Sequence, residues 1–388
     1  MDGKAATRRG ILQAGAATAA PAWLLAGKAP AYAQAAKPFA GTTLNISCWA
    51  SPYARFIGEY LPEFTEATGI RVAYDTPGFP IYNQRADLEL STKGSAYDVL
   101  NITFIFTSRW IGAGWFTPLD EFINDRNRTP AEWDFADFLE GTVRPMKDRQ
   151  GRVYGAPWVA DVLCGGSGRF DILRQQGLGM PGTFAELERA MAAIHMKEDI
   201  PAFIVENHYG WVFIPFLQDF GGNVFHNPPD DLFPTLDSAE AVEAAEFMAK
   251  LLRQYGPPQA IGYNVDQTTL AFRTGRVNYQ VNNHAFLVPA SEPGSRVRGT
   301  ANFSLIPAGP KGRFPGIASH AWGIPVGSRQ KPAAWEFIKW SLSKELMNRM
   351  VNEKGYAAVT RASILNAPGF RERTMVNGFD MTQLYIDT

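Results

Sequence analysis

The sequence predicts an α/β protein in which strands alternate with covering helices. The segment Leu44-Asn45-Ile46-Ser47-Cys48-Trp49 alternates apolar and polar residues, as a strand does. In the next segment, Phe56–Ala67, apolar residues recur at the spacing of an amphipathic helix, and Gly69 follows as a stop signal. Strands at residues 70–74 and 97–102 come after it. This order is typical of a mostly parallel sheet with helices on its faces.

The later part of the chain carries the same kinds of signal. Thr183-Phe184-Ala185-Glu186 is a capping box that opens a helix. With 388 residues, the sequence is long enough for two domains. Because it contains no low-complexity linker, we expect the polypeptide to cross between these domains more than once. The remaining predicted elements are a helix from Asp237 or Ser238 to about Tyr255, strands at 277–281 and 303–307, and one long helix from Trp335 to about Glu353.

The first 33 residues resemble an export signal rather than part of the fold. Thr7-Arg8-Arg9-Gly10 places two arginines ahead of an apolar, alanine-rich stretch that is too short for a membrane span of about 20 residues. Ala31-Tyr32-Ala33 then supplies the small residues of a cleavage site. We therefore expect twin-arginine export, cleavage after Ala33 and a periplasmic protein.

Composition excludes one class of partner. The chain has 37 basic and 38 acidic residues and no long basic run, so it lacks the electrostatic pattern of a nucleic-acid-binding protein.

The two cysteines of the sequence, Cys48 and Cys164, lie in apolar contexts. An oxidising compartment permits a disulfide between them, and two buried thiols are equally consistent with the sequence.

Six segments together resemble the family 1 extracellular solute-binding proteins, the group that includes the maltose-binding type. None of the six is specific alone, but they follow the family's order across residues 44–360 and stand behind an export signal. The segments are Phe64-Thr65-Glu66-Ala67-Thr68-Gly69-Ile70, Tyr97-Asp98-Val99, Gly182-Thr183-Phe184-Ala185-Glu186-Leu187, Asp219-Phe220-Gly221-Gly222-Asn223-Val224-Phe225, Ala271-Phe272-Arg273-Thr274-Gly275-Arg276-Val277 and Trp322-Gly323-Ile324-Pro325-Val326.

This resemblance implies a two-lobed periplasmic-binding-protein fold of type II, the Venus-flytrap arrangement, with interlobe crossovers and the ligand between the lobes. We expect residues 34–161 and 283–323 to form the N-terminal lobe, and 162–282 and 324–388 the C-terminal lobe. Family members usually carry further C-terminal helices, whereas this sequence ends at Thr388. A C-terminal lobe that is truncated and lacks a cleft residue is therefore one interpretation.

A carbohydrate offers apolar ring faces and many hydroxyls, so its site needs flat aromatic side chains beside hydrogen-bonding ones. Such residues cluster at the ends of the probable strands, where the family's cleft segments fall. Ser319-His320 stands where the family often has paired glycines, which suggests a different ligand geometry. The candidate ligand-binding residues are Trp49, Ser51, Tyr53, Thr103, Phe104, Trp158, Asp161, His208, Trp211, Asn283, His320 and Trp322.

The sequence contains partial matches to catalytic and cofactor-binding motifs, but the residues around each match do not fit the motif. Gly177-Leu178-Gly179-Met180-Pro181-Gly182 matches G-x-G-x-x-G, but the preceding residues are helical in pattern and Pro181 interrupts the turn. Arg169 replaces the last glycine of a G-x-S-x-G elbow around Ser167. The five histidines show no H-x-x-x-H or H-x-H spacing. We therefore expect no cofactor, no metal and no catalysis.

The sequence thus predicts the binding subunit of an ABC importer. It would act as a monomer, bind a sugar or polyol and deliver it to the transmembrane permease subunits. Two rivals stay open: the same fold with a polyamine, an opine or a small acid as ligand, and a periplasmic enzyme that uses the twin-arginine route. A cleft with several acidic residues would favour a cation, and one lined by arginine would favour an acid.

Overall fold

The computed structural model describes residues 37–207, 210–228, 230–283, 290, 293–376, 379–380 and 382–383. The predicted export signal lies outside these residues. Among the described residues, no helix combines the length and the apolar character needed to cross a membrane. The strands are β1 (Thr43–Ser47), β2 (Arg71–Asp75), β3 (Val99–Ile102), β4 (Ala156–Val162), β5 (Gly165–Arg169), β6 (Phe203–Val205), β7 (Phe225–Asn227), β8 (Asp231–Pro234), β9 (Tyr279–Asn282), β10 (Ala301–Leu305), β11 (Ile317–Gly323), β12 (Met375–Val376) and β13 (Phe379–Asp380).

Fourteen α-helices lie in the described part of the chain, and most of them cover two sheets. Four short 3₁₀ helices add to them at Ala131–Trp133, Phe135–Asp137, Arg144–Met146 and Ala260–Gly262. The α-helices are α1 (Pro52–Thr68), α2 (Phe79–Ser91), α3 (Thr107–Gly112), α4 (Asp120–Asn124), α5 (Glu140–Val143), α6 (Phe170–Gln175), α7 (Phe184–Ile194), α8 (Phe213–Asp219), α9 (Ala239–Tyr255), α10 (Val265–Arg273), α11 (Lys331–Ser341), α12 (Lys344–Lys354), α13 (Ala362–Leu365) and α14 (Pro368–Arg373).

The first sheet has five strands in the order β2-β1-β3-β11-β4. Strands β1, β2 and β3 run parallel, and β11 runs antiparallel to both of its neighbours. Helix α1 buries Phe56, Ile57, Tyr60 and Phe64 in the core beneath this sheet. The sheet and its helices form the first lobe.

The second sheet has four strands in the order β10-β5-β9-β6, with only β6 and β9 parallel. Strand β5 contains Gly166 and Gly168, and the ring of Tyr279 on β9 occupies the space that a side chain at either glycine would need. These glycines are therefore explained by close packing between strands. Helices α7 and α9 cover this second lobe, whose core is separate from that of the first.

The chain passes between the two sheets twice within the described residues, from β4 to β5 and from β10 to β11. This division differs from the predicted lobe boundaries. Strand β10 belongs to the second sheet because it pairs with β5, although residues 283–323 were expected in the first lobe. Helix α11 packs Trp335 and Phe337 into the core of the first lobe, although residues 324–388 were expected in the second.

Several local predictions are confirmed. Gly69 ends α1 in the left-handed region with φ of 74°, and Ser238 caps α9 through the backbone N–H of Ala241. The capping box of Thr183 and Glu186 opens α7. These signals depend on neighbouring residues alone, so the sequence is sufficient to predict them.

One prediction of regular structure is confirmed only in part, and another is wrong. Strands β1, β2 and β3 run parallel as predicted, but β11 runs antiparallel to β3 and β4, and in the second sheet only β6 and β9 are parallel. The long helix expected from Trp335 to about Glu353 is two helices, α11 and α12. Ser343 separates them, since its hydroxyl accepts a hydrogen bond from the backbone N–H of Leu346 at 3.2 Å and so starts a new helix.

The two cysteines are free thiols, each buried in a different core. The Sγ atom of Cys48 lies 3.1 Å from the hydroxyl of Tyr74. Burial raises the pKa of the Cys48 thiol to about 12 and that of Cys164 well above its usual value. Both groups therefore act as small apolar side chains.

Asp219 ties the end of α8 to the segment between β10 and β11, which is one of the two crossovers. Its Oδ1 atom accepts a hydrogen bond from the backbone N–H of Phe314 at 2.7 Å, and its carbonyl oxygen accepts one from Lys311 at 2.9 Å. The side chain is fully buried, and burial raises the pKa of this carboxyl to about 7 against the opposing effects of the Phe314 N–H and Arg313.

We predict that Asp219→Asn stabilises the protein more at pH 8 than at pH 4.5. The folded state has the higher pKa and so binds more protons than the unfolded state between about pH 4 and pH 7. The wild type therefore loses stability as the pH rises through this window, whereas asparagine keeps an acceptor and carries no charge. Melting temperatures of both proteins at the two pH values measure this, with the exposed Asp237→Asn as control. An equal change at both pH values would contradict the prediction.

Candidate ligand-binding site

A cavity of about 270 Å³ lies between the two lobes. Its first-lobe wall follows the ends of β1 and β3 and includes one side chain from β11, and its second-lobe wall follows β6 and β9 and the start of α10. Such a place, beyond the carboxyl ends of strands, is where open α/β sheets bind ligands. The lining residues are Trp49, Ala50, Gly78, Phe79, Pro80, Phe104, Asp161, Glu206, Trp211, Asn264, Val265, Asp266, Asn283 and His320.

Aromatic rings from both lobes meet in this cavity. Phe79 and Phe104 of the first lobe lie with their ring centroids 5.7 and 5.8 Å from that of Trp211 in the second lobe. On the first-lobe side, Trp49 lies 5.6 Å from Phe79 and 5.2 Å from His320. The rings give the cavity apolar faces, and the contacts with Trp211 join one lobe to the other.

The polar part of the lining is acidic. Asp161 and Glu206 are buried, with 2% and 1% of their surfaces exposed, whereas Asp266 is exposed. The described lining contains no lysine or arginine. Carboxylate oxygens accept hydrogen bonds, so this wall suits a ligand that donates them. Among the described residues, no three His, Cys, Asp or Glu side chains come together as a group that could hold a metal ion.

Two amides and an indole complete the polar lining. The side chain of Asn264 accepts a hydrogen bond from the backbone N–H of Gln267 at 3.0 Å, which fixes the start of α10 at the cavity wall. Asn283 is buried directly after β9. The described residues give no acceptor to the buried Nε1 of Trp49.

His320 is a neutral histidine in the first-lobe wall. Its Nδ1 atom lies 3.3 Å from Nδ2 of Asn101, and its ring is surrounded by Trp49, Phe79 and Phe104. Burial lowers the pKa of His320 to about 3. The imidazole is therefore uncharged over the whole physiological range, and the cavity has no cationic side chain in its described lining.

Comparison with known proteins gives the family. Residues 50–348 match the bacterial extracellular solute-binding protein family, which is well over half of the chain. The chain belongs to this family. The resemblance seen in the sequence is thereby confirmed.

Two curated relatives of this solute-binding protein are named for polyols. One, from Mycolicibacterium smegmatis, is an erythritol/L-threitol-binding protein that is 26% identical over 84% of this chain and 72% of its own length. The other, from Pseudomonas aeruginosa, is a mannitol-binding protein that is 26% identical over 73% of this chain and 65% of its own length. The chain thus spans slightly less than two thirds of the second relative.

A solved structure shows the fold. The solute-binding protein of an ABC transporter from Agrobacterium radiobacter, in complex with ribitol, superposes with a TM-score of 0.80. It is 21% identical and covers 90% of this chain and 87% of that one. The two-lobed type II periplasmic-binding-protein fold predicted from the sequence is therefore confirmed.

Six of the candidate ligand-binding residues line the cavity, and five others lie elsewhere. The hydroxyl of Ser51 caps α1 by accepting a hydrogen bond from the backbone N–H of Ala54 at 3.0 Å. Tyr53 packs edge-on against Tyr356 in the first core, and Thr103 is fully buried. His208 lies outside the described residues. The six lining residues are Trp49, Phe104, Asp161, Trp211, Asn283 and His320.

Trp158 and Trp322 are the remaining two of these five, and they form part of the core. Their rings stack with centroids 4.6 Å apart, and 1% and 0% of their surfaces are exposed. Every residue of β4 is buried, so the sequence carries no polar alternation that would tell which side of the strand faces the cleft. Trp158 is connected to the cavity only indirectly: its Nε1 donates a hydrogen bond to Asn101, whose amide contacts the lining residue His320.

Four lining residues with polar or aromatic side chains were not predicted. Glu206 directly follows the apolar strand β6, so the end-of-strand rule that selected Trp49 would also have selected it. Phe79 and Asp266 lie in the first turns of α2 and α10, and Asn264 caps α10. A helix start gives no sequence signal that it faces a cleft, which is why these three were missed.

We predict that Phe79→Ala favours more open forms of the ligand-free protein, because it removes a ring that contacts Trp211 across the cleft. An aromatic pair contributes about 0.5–1.5 kcal/mol beyond its buried area, so the equilibrium should shift roughly twofold to tenfold. Small-angle X-ray scattering would report a larger radius of gyration. Ile81→Ala changes an exposed residue of the same helix and serves as control. Equal radii for all three proteins would contradict the prediction.

Proposed function

We propose that this protein is the substrate-binding subunit of an ABC importer, and that it binds a small sugar or polyol between its lobes and delivers it to the permease. The observation that carries the proposal is the lining of the cavity, where aromatic faces stand beside carboxylate and amide groups and the described lining holds no lysine or arginine. The names of the two polyol-binding relatives support the same class of ligand.

The size of the cavity favours a small ligand. Its volume of about 270 Å³ lies just below the roughly 300–1,000 Å³ that ligand sites span. A single sugar ring or a short polyol suits this space better than an oligosaccharide does.

Both lobes contribute to the lining, which is what a closure mechanism requires. A ligand shifts a protein toward its closed form only if it binds that form more tightly. Trp49 and His320 of the first lobe and Glu206 and Trp211 of the second would contact one ligand together only when the lobes are near each other. Ligand contacts on both sides would thus favour closure about the two crossovers.

A second candidate ligand is a small organic cation such as a polyamine. The three carboxylates Asp161, Glu206 and Asp266 favour it, since the described lining holds no lysine or arginine. A catalytic function has less support, because the family comprises solute-binding proteins rather than enzymes.

We predict that a neutral polyol raises the melting temperature and that spermidine does not. A thermal-shift screen with erythritol, ribitol, D-mannitol, maltotriose and spermidine tests this, because a ligand at a hundredfold excess over its Kd adds about 2.7 kcal/mol of stability. Trp211→Ala should abolish the shift, and the exposed Phe233→Ala of the same lobe should keep it. A response to spermidine alone would replace the polyol with a cation.

We also propose export through the twin-arginine route, with cleavage after Ala33. Arg8-Arg9 and the Ala31-Tyr32-Ala33 segment support this. Replacing Arg8 and Arg9 together by lysine should leave the uncleaved precursor inside the cell, whereas Lys4→Arg should not. Cell fractionation followed by N-terminal sequencing of the exported chain measures both effects. Unchanged export of the double variant would contradict the route, and a mature N-terminus other than Gln34 would contradict the cleavage site.

A further inference from the structure

Three buried side chains on neighbouring strands of the first sheet form a chain of hydrogen bonds that ends at the cavity. Nε1 of Trp158 on β4 lies 2.8 Å from Oδ1 of Asn101 on β3. Nδ2 of the same asparagine lies 3.3 Å from Nδ1 of His320 on β11. All three residues have at most 4% of their surface exposed. Only His320 of the three lines the cavity.

The chemistry of the groups fixes the direction of each hydrogen bond. An indole N–H can only donate, so the atom of Asn101 that faces Trp158 must be the carbonyl oxygen. The amide nitrogen of Asn101 then faces His320, and because it donates, Nδ1 of His320 must accept. A neutral imidazole carries one proton, which is therefore on Nε2. The burial that lowers the pKa of His320 to about 3 keeps the ring neutral.

The surrounding structure holds this arrangement in place. The Trp158 ring is stacked on Trp322, and the backbone carbonyl oxygen of Asn101 accepts a hydrogen bond from the hydroxyl of Tyr82 at 2.5 Å. Asn101 is also paired with Trp322 in the β3–β11 register. These contacts hold the Trp158 ring and the Asn101 backbone, and both side chains are buried, so the pattern of donors is set before any ligand binds.

We propose that Trp158 and Asn101 are positioning residues that hold His320 as a fixed Nε2–H donor, and that this donor determines which ligands the cavity accepts. His320 uses Nδ1 within the sheet, and the described residues give Nε2 no hydrogen bond, so Nε2 is the ring nitrogen left for a ligand. The part of this inference that concerns ligands rests on the proposed function. The part that concerns the tautomer does not.

This donor stands among hydrogen-bond acceptors in the cavity. His320 donates from the first lobe, whereas Asp161 of the same lobe and Glu206 and Asp266 of the second lobe accept. A hydroxyl group can accept from His320 and donate to a carboxylate, so a polyol satisfies both kinds of group. An ammonium group has no lone pair for the His320 N–H. The site therefore discriminates in favour of hydroxyls even though it is acidic.

The tautomer can be measured directly in the ligand-free full chain. Long-range ¹H–¹⁵N correlation spectra of the imidazole rings distinguish the two neutral tautomers and the imidazolium. The His320 signals are identified by their loss in His320→Gln. We expect the Nε2–H pattern, unchanged between pH 8 and pH 5, although Asp161, Glu206 and Asp266 share the cavity. An Nδ1–H pattern, or an imidazolium at pH 6, would overturn the proposal.

Asn101→Asp tests whether the asparagine sets the tautomer. A carboxylate still accepts from Trp158 but cannot donate to Nδ1, so His320 should become the Nδ1–H tautomer or the imidazolium and should titrate between pH 8 and pH 5. The exposed Asn366→Asp is the matched control and should leave the His320 signals unchanged. If Asn101→Asp folds and keeps the Nε2–H pattern, the positioning role is excluded. If Asn101→Asp does not fold, the proposal is tested by the tautomer of His320 in the wild-type spectra.

Calorimetry with ribitol as the probe tests the ligand part. His320→Gln keeps an amide donor and should bind within about threefold of the wild type, whereas His320→Leu removes the donor and should bind roughly tenfold more weakly. Equal affinities for all three proteins would exclude His320 as a specificity determinant. Absence of ribitol binding by the wild type, together with the Nε2–H pattern, would reject ribitol as the ligand and leave the tautomer assignment standing.

Discussion

The pairing of β4 with β11 is the constraint on which the rest of the structure depends. Each of these strands is joined to the second lobe by a crossover, β4 directly to β5 and β11 from β10. Because β4 and β11 are hydrogen-bonded to each other from Val162–Ile317 onward, the two crossovers leave the first sheet side by side. The two covalent connections between the lobes therefore lie next to each other. Asp161 and His320 lie on these strands, so the connection between the lobes also forms part of the cavity wall.

The cavity wall combines buried polar groups with aromatic rings, and both kinds of group can contact a ligand. Buried carboxylates and a neutral buried histidine lose hydration on folding, and a hydroxylated ligand can return hydrogen bonds to both. The aromatic rings of Trp49 and Trp211 supply apolar faces from opposite lobes. Recognition of a neutral solute then depends on the direction of hydrogen bonds rather than on net charge. This is why the acidic lining is compatible with a polyol.

Local signals in the sequence predicted local structure well. The alternation of β1, the apolar face of α1 and the caps at Thr183 and Ser238 depend on residues close in sequence. The partner of a strand depends on distant residues, so the place of β10 in the second sheet could not be inferred from periodicity. Residues at strand ends were often at the cavity, as for Trp49. Trp158 shows the limit, because burial on both faces of β4 hides which side chains face the cleft.

The most direct test of this account is a crystal structure of the protein with the polyol that gives the largest thermal shift. The account predicts electron density for one polyol between Trp49 and Trp211, with a hydroxyl oxygen within hydrogen-bond distance of Nε2 of His320 and a second hydroxyl donating to Glu206 or Asp266. A polyol bound to one lobe only, or at a place remote from His320, would contradict it.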